Sequence, residues 1–234
     1  MSTAITIQNV SRGFPNTPTV LNNLSGEIPQ GGIFVILGHS GCGKSTLLRI
    51  LGGFDRPDSG RVLLGDEPVT RPRPDMFMMF QSYEQLFPWK TLRGNLVFAL
   101  QGSGVERDAK KAAARADLYL SKAGLAGYEN AYPHTLSGGM KQRGALARAL
   151  CLAPKVLLMD EPFSSLDFLT RRAMQSLLKE LQQEAKTTVV LVTHDIDEAV
   201  RIGDTVAMLT PEGKLTLCEK SIEALEGLLA VPKN

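Results

Sequence analysis

The chain alternates short apolar runs with amphipathic stretches. Residues 3–10 alternate apolar and polar side chains as a half-buried strand does. "GFPNTP" reads as a turn, and 19–28 as a second short strand. Ile33–Leu37 is continuously apolar, the mark of a buried strand, and 45–51 follows a glycine-rich loop with helical character. "GGFDRPDSG" breaks the chain before a strand at 61–64. "RPRPD" is a stiff connector into a buried strand at 76–80, which ends at Gln81.

Residues 82–95 mix aromatic, polar and proline residues, as a surface loop with an apolar tip would, the tip being Leu86, Phe87, Pro88 and Trp89. From 105 to 123 the period is helical, with Val105, Ala109, Ala112, Ala116 and Leu120 on one face. Ser137 is placed to cap a helix that begins near Gly139 and ends at Pro154. Its Lys141, Arg143 and Arg148 are expected to be solvated or to face a ligand. An apolar run at 156–159 closes on Asp160-Glu161-Pro162, as a fully buried parallel strand would. An amphipathic helix at 168–185, a β-rich run at 187–192, a short helix at 196–202 and two strands within 204–217 complete the pattern. The β–helix–β alternation predicts an α/β fold with a mainly parallel sheet covered on both faces. The mostly helical section 82–154 interrupts it as an inserted lobe.

Composition adds bounds. The 234 residues are 43% hydrophobic and 21% charged, a globular balance with material for a substantial core. A net charge of +2 offers no electrostatic case for nucleic-acid binding. Neither a leader pattern nor an apolar run of membrane-spanning length is present, so a soluble chain is expected, free to sit on a membrane partner. Cys42, Cys151 and Cys218 lack metal-ligand spacing and suit a reducing cytosol.

The chemistry concentrates in "GHSGCGKST", Gly38, His39, Ser40, Gly41, Cys42, Gly43, Lys44, Ser45 and Thr46. It fits G-x-x-x-x-G-K-[ST] between a strand and a helix. The glycines let successive N–H groups converge on one point, where the helix N-terminus adds partial positive charge. Lys44 is suited to the β- and γ-phosphates and the Ser45 hydroxyl to Mg²⁺. Thiolate stabilisation by the same groups predicts a reactive Cys42. Asp160, at the C-terminal end of a second buried strand, is placed to share that Mg²⁺. Glu161 beside it suits a general base acting on water. Phe14, apolar within a turn, reads on composition alone as a local hydrophobic anchor.

With those residues goes a family resemblance. "GHSGCGKST", Gln81, "LSGGM", "VLLMDEP", "SSLD" and His194 stand in the order and approximate spacing of ATP-binding cassette ATPases, over essentially the whole chain. "LFPWKTLRGN" and "GGMKQR" most resemble the ATPase subunits of bacterial importers for nitrate, sulfonates or taurine. The resemblance implies a P-loop NTPase with a RecA-like core and an N-terminal antiparallel β lobe, about 1–81 and 155–234, and a helical lobe at about 82–154. It implies that Phe14 stacks on adenine, and that Gln81 contacts Mg²⁺ and the attacking water. Ser137, Gly138 and Gly139 would bind the γ-phosphate held by a second copy. Asp167 would link the two sites across the dimer, and His194 would hydrogen-bond the γ-phosphate. ATP and Mg²⁺ are the implied cofactors. Two copies would sandwich ATP on the cytoplasmic face of a membrane, with separate permease subunits and, indirectly, an external solute-binding protein as partners. His39 stands where the family favours proline or a small spacer, and "MFMMF" is richer in methionine than usual. Other readings are an exporter or lipid-handling ATPase, a soluble cassette protein, and a P-loop nucleoside or sugar kinase, against which "LSGGM" counts.

Overall fold

The structure, a computed structural model, describes residues 3–14, 20–80, 85–164, 166–210 and 212–229. Within these, the chain forms two compact units. The first takes the chain up to Met78, Val156–Pro162 and the chain from Thr188 onward. The second takes Met79–Lys155 and Phe163–Thr187.

In the first unit, β1 (Thr3–Arg12) pairs antiparallel with β2 (Leu21–Pro29) and with β4 (Ser59–Leu64). With β5 (Glu67–Pro68) the order is β2-β1-β4-β5. Ile5, Ile7, Val10, Leu24, Ile28 and Val62 point from it into the core. A second sheet has the order β10-β9-β3-β8-β7-β6. Its strands are β3 (Ile33–Leu37), β6 (Met76–Met79), β7 (Val156–Asp160), β8 (Thr188–Thr193), β9 (Thr205–Leu209) and β10 (Leu215–Cys218). Strands β9, β3, β8 and β7 run parallel, and β10 is antiparallel to β9. Every residue of β3, β7 and β8 is buried. α1 (Lys44–Leu51) packs on β7 and β8, and α6 (Ile196–Ile202) on β3 and β8. That covering is why the strands read as continuous apolar runs. Each fully buried aliphatic side chain there contributes about 1.5–3 kcal/mol.

The second unit is helical: α2 (Leu92–Gly102), α3 (Ala109–Lys122), α4 (Gly138–Leu150) and α5 (Phe168–Ala185), with α2, α3 and α5 each packed on α4. α2 is a helix where the sequence suggested loop, because Arg93, Gly94 and Asn95 obscure its period. Leu92, Leu96 and Leu100, four apart, are its buried stripe. Asn95, fully buried, is what folds the preceding turn. Its Oδ1 accepts the Phe87 N–H at 2.7 Å, and its amide donates to the carbonyls of Phe87, Lys90 and Thr91.

Other expectations need correction. Val105 is exposed and precedes α3, whose cap is Asp108 accepting from Lys111 N–H; the buried face is Ala112, Ala116, Tyr119 and Leu120. Arg143 is half-buried and lines a groove with Ser137, Gly138 and Gly139. It donates to the carbonyls of Ala123 and Gly124, just past α3. Arg148 lies with its guanidinium 5.4 Å from the Phe87 ring centroid, and burial lowers its pKa. α4 ends at Leu150 without help from Pro154; Cys151 caps it, and Ala153 takes a left-handed φ of 46°. A terminal helix, α7 (Ile222–Leu229), follows the last strand, with Ser221 Oγ accepting from Ala224 N–H.

Burial pushes the Cys151 thiol up to about 12. At pH 8 only about one molecule in ten thousand would carry the reactive thiolate. Brief alkylation of the folded protein followed by mass mapping is therefore expected to leave Cys151 unmodified. Labelling of Cys151 as fast as Cys218 would contradict this burial.

Candidate active site

The sheet delivers its chemistry at the C-terminal ends of β3, β7 and β8. The chain leaves β3 at Gly38, where a Cβ would stand 2.9 Å from the Leu209 carbonyl. Gly43, at φ 102°, occupies the N-cap of α1. A Cβ there would meet Val20 Cγ1 at 2.5 Å. Only glycine satisfies both the backbone conformation and the space. Gly41, at φ 81°, faces open space. Among the described residues no side chain caps α1, which leaves its first-turn N–H groups as candidate donors to an anion. His39 and Thr46 are half-buried, and Ser40, Gly41 and Ser45 are exposed.

Lys44 is only 5% exposed. Its Nζ donates to the carbonyls of Gly38 and His39, each at 2.9 Å, so the loop wraps its own lysine. Cys42 is partly exposed. It packs against the apolar core, with its Sγ 2.8 Å from where a Gly38 Cβ would stand.

Ser45 Oγ donates to Asp160 Oδ1 at 2.9 Å. Desolvation raises the Asp160 pKa, while the Ser45 hydrogen bond and Lys44 oppose the rise. A buried carboxylate next to a hydroxyl is a hard oxygen pair of the kind that suits Mg²⁺ completed by phosphate oxygens and water. Among the described residues no group of three His, Cys, Asp or Glu is placed to hold a metal by itself. The donor set therefore fits a nucleotide-borne Mg²⁺ rather than a resident metal.

Glu161 adopts a left-handed φ of 44°, so the chain turns sharply off β7. Its Oε1 lies 3.8 Å from Lys44 Nζ and 3.3 Å from His194 Nδ1. His194 follows β8 and is held by a network that sequence reading missed. Thr193 Oγ1 donates to the buried Glu198 Oε2 at 2.5 Å and accepts the Asp195 N–H at 3.1 Å. Asp195 caps α6 by accepting from Glu198 N–H. The signal available was D-x-x-E ahead of an apolar helix, a capping pattern. Lys44, Ser45, Asp160, Glu161 and His194 thus share one cluster.

Phe14, just past β1, is 39% exposed, with the Arg12 guanidinium 5.0 Å from its centroid. Gln81 lies outside the described residues. In the helical unit, Ser137 caps α4, accepting the Met140 N–H at 3.3 Å. Asp167 caps α5 by accepting from Thr170 N–H, and hydrogen bonding from the Thr170 side chain first, and its N–H second, lowers the Asp167 pKa. Ser137, Gly138, Gly139 and Asp167 line one groove of about 670 Å³. Phe168 and Leu169, at the start of α5, are 65% and 76% exposed.

A parallel sheet feeding a glycine loop, a lysine and a Ser–Asp pair defines a P-loop nucleoside triphosphatase. The chain belongs to the ABC transporter family, whose model matches residues 21–164, and it is an ATP-binding ATPase of that family. It is 41% identical over 206 residues to the nitrate import ATP-binding protein NrtD of Synechococcus elongatus, covering 88% of this chain and 75% of that protein. It is 43% identical over 216 residues to the bicarbonate transport ATP-binding protein CmpC of the same species, covering 90% of this chain but 32% of that longer protein. Among solved structures, cbiO1 of Clostridium perfringens, part of the ABC transporter complex cbiONQ, superposes with a TM-score of 0.82 at 28% identity, over 93% of this chain and 88% of that one. A dimeric ATP-binding cassette in a post-hydrolysis state, bound to ADP and phosphate, superposes at 0.76 with 32% identity, over 90% and 96%. These likenesses establish the P-loop α/β fold of the cassette.

Proposed function

We propose that this ATPase dimerises around two ATP molecules and drives a separate membrane permease that imports a solute of the nitrate, sulfonate or taurine type. The observation that carries the solute class is the 41% identity with the nitrate import protein. In this reading Gly38–Thr46 cradle the phosphates, and Ser45, Asp160 and Gln81 hold Mg²⁺. Bound there, the metal would neutralise charge on the β- and γ-phosphates. Glu161 accepts the proton of the attacking water, Lys44 stabilises charge on the leaving phosphates, and His194, beside Glu161, hydrogen-bonds the γ-phosphate. Phe14 stacks on adenine. Ser137, Gly138 and Gly139 serve the γ-phosphate of a second copy, and Asp167 carries the signal between copies. The exposed Phe168 and Leu169 beside that groove support a protein partner, since such side chains are a liability when left in water.

Permease docking falls to the aromatic turn after Gln81. Leu86 is 5% exposed and belongs to the core, and Phe87 is wedged between Phe98 and Arg148. Trp89, 69% exposed, is the contact residue, on a turn that Asn95 makes rigid. No helix among the described residues is long and apolar enough to cross a membrane. In this reading the subunit is peripheral and is held at the membrane by the permease. A deletion strain complemented with wild-type protein is expected to recover uptake of one of these solutes. Trp89→Ser should melt as the wild type does and keep ATP binding, yet fail to co-purify with permease or restore uptake. Full uptake with Trp89→Ser would defeat the docking role. Unchanged uptake of nitrate, sulfonates and taurine in the deletion strain would defeat the solute class.

A further inference from the structure

The segment carrying Phe14 is tied to the phosphate-loop helix by one arginine and two aspartates. β1 ends at Arg12, whose guanidinium donates to Asp58 Oδ1 at 2.7 Å and to Asp55 Oδ1 at 3.3 Å. The same group lies over the Phe14 ring, 5.0 Å from its centroid. Asp58 also grips backbone on both sides of Arg12. Its Oδ2 accepts the Gly13 N–H at 2.8 Å, and its own N–H donates to the Ser11 carbonyl at 2.8 Å. The Gly13 bond first, and Arg12 second, hold the Asp58 carboxyl below the usual carboxylate range.

The far side of the clamp reaches the catalytic machinery. Phe54 and Asp55 both donate their N–H to the Arg49 carbonyl, in the turn that ends α1. That helix begins at Lys44. The returning chain is anchored as well. Val20 N–H donates to the Arg12 carbonyl at 2.8 Å, and Val20 packs where a Gly43 side chain would otherwise stand. The chain before Phe14 and the returning chain at Val20 are therefore both anchored, the latter against Gly43 of the phosphate loop.

An ordinary surface ion pair would leave a guanidinium free to swing toward a phosphate. Here two carboxylates occupy its edge and an aromatic ring occupies its face, so its orientation is set. A ring fixed before the ligand arrives loses less freedom on binding. We propose that Arg12, Asp55 and Asp58 form a positioning clamp that presents Phe14 to the adenine ring and so sets affinity for the base rather than for the phosphates. The clamp rests on the reading of Phe14 as the adenine platform. Arg12 acts through Phe14 and is a positioning residue.

Calorimetric titration with ATP and, separately, with inorganic tripolyphosphate, both with Mg²⁺, tests it. Arg12→Ala and Asp58→Asn are each expected to weaken ATP about threefold to tenfold while leaving tripolyphosphate affinity unchanged. In a Phe14→Ala background, Arg12→Ala should add no further loss. Arg12→Lys keeps a charge but no planar face; it should melt as the wild type does and still bind ATP more weakly. Wild-type ATP affinity in Phe14→Ala would overturn the platform reading and the clamp with it. Loss of ATP affinity in Phe14→Ala but not in Arg12→Ala or Asp58→Asn would overturn the clamp alone. Equal weakening of ATP and tripolyphosphate, additivity with Phe14→Ala, or full affinity in Arg12→Lys would also overturn it.

Discussion

Glu161→Gln is expected to bind ATP as well as the wild type and to hydrolyse it about 10²- to 10⁴-fold more slowly, the usual scale for removing a general base. The amide keeps the shape of the side chain, and its oxygen can still lie near His194 Nδ1, which the Glu161 carboxylate approaches at 3.3 Å. It cannot take a proton from water. Because hydrolysis is what ends the ATP-bound state in the proposed cycle, the variant should accumulate as an ATP-dependent dimer. Phosphate release and size-exclusion in Mg-ATP measure both effects. Turnover near that of the wild type would remove Glu161 from the chemistry. A slow variant that stays monomeric would preserve the base and dismiss the clamp of two copies.

Lys44→Ala is expected to fail one step earlier. ATP affinity should fall at least tenfold and hydrolysis at least about a hundredfold, since hydrogen bonds to a charged group are worth about 1.5–3 kcal/mol each. The ammonium is buried and preoriented by the Gly38 and His39 carbonyls, so it reaches a phosphate with little reorganisation. Calorimetry separates the two variants: Glu161→Gln keeps the binding isotherm, whereas Lys44→Ala loses it. Thermal melting controls for the two loop carbonyls that Lys44→Ala leaves without their donor. A folded Lys44→Ala that binds ATP like the wild type would displace Lys44 from the phosphate site.

The local patterns that decide their own conformation were legible from the chain. Ile33–Leu37 followed by "GHSGCGKST" fixes a strand, a tight loop and a helix start, because glycine backbone freedom and the apolar run act within a few residues. Asp160 closes a strand buried at every position, so its place at the sheet edge follows from where the run stops. α5 at Phe168–Ala185 shows the same economy, with Asp167 as its cap. α2 did not, since its three leucines are diluted by Gly94 and by Asn95, whose purpose is tertiary.

What the sequence by itself determined was the residue set: a glycine-rich loop of the G-x-x-x-x-G-K-[ST] form, an aspartate and a glutamate closing a buried strand, and an order of motifs that marks the cassette ATPases. Only the tertiary structure decided how side chains distant in the chain meet. Parallel pairing of β7 with β8 brings Glu161 to His194, and the shared sheet edge brings Asp160 to Ser45. It packed one side of Cys42 against the core, put Leu86 in the core while leaving Trp89 outside, and gave Arg12 to Phe14 and Asp58. Sequence periodicity reports which face of an element is buried, whereas these choices depend on which neighbour occupies the space, and that neighbour comes from elsewhere in the chain.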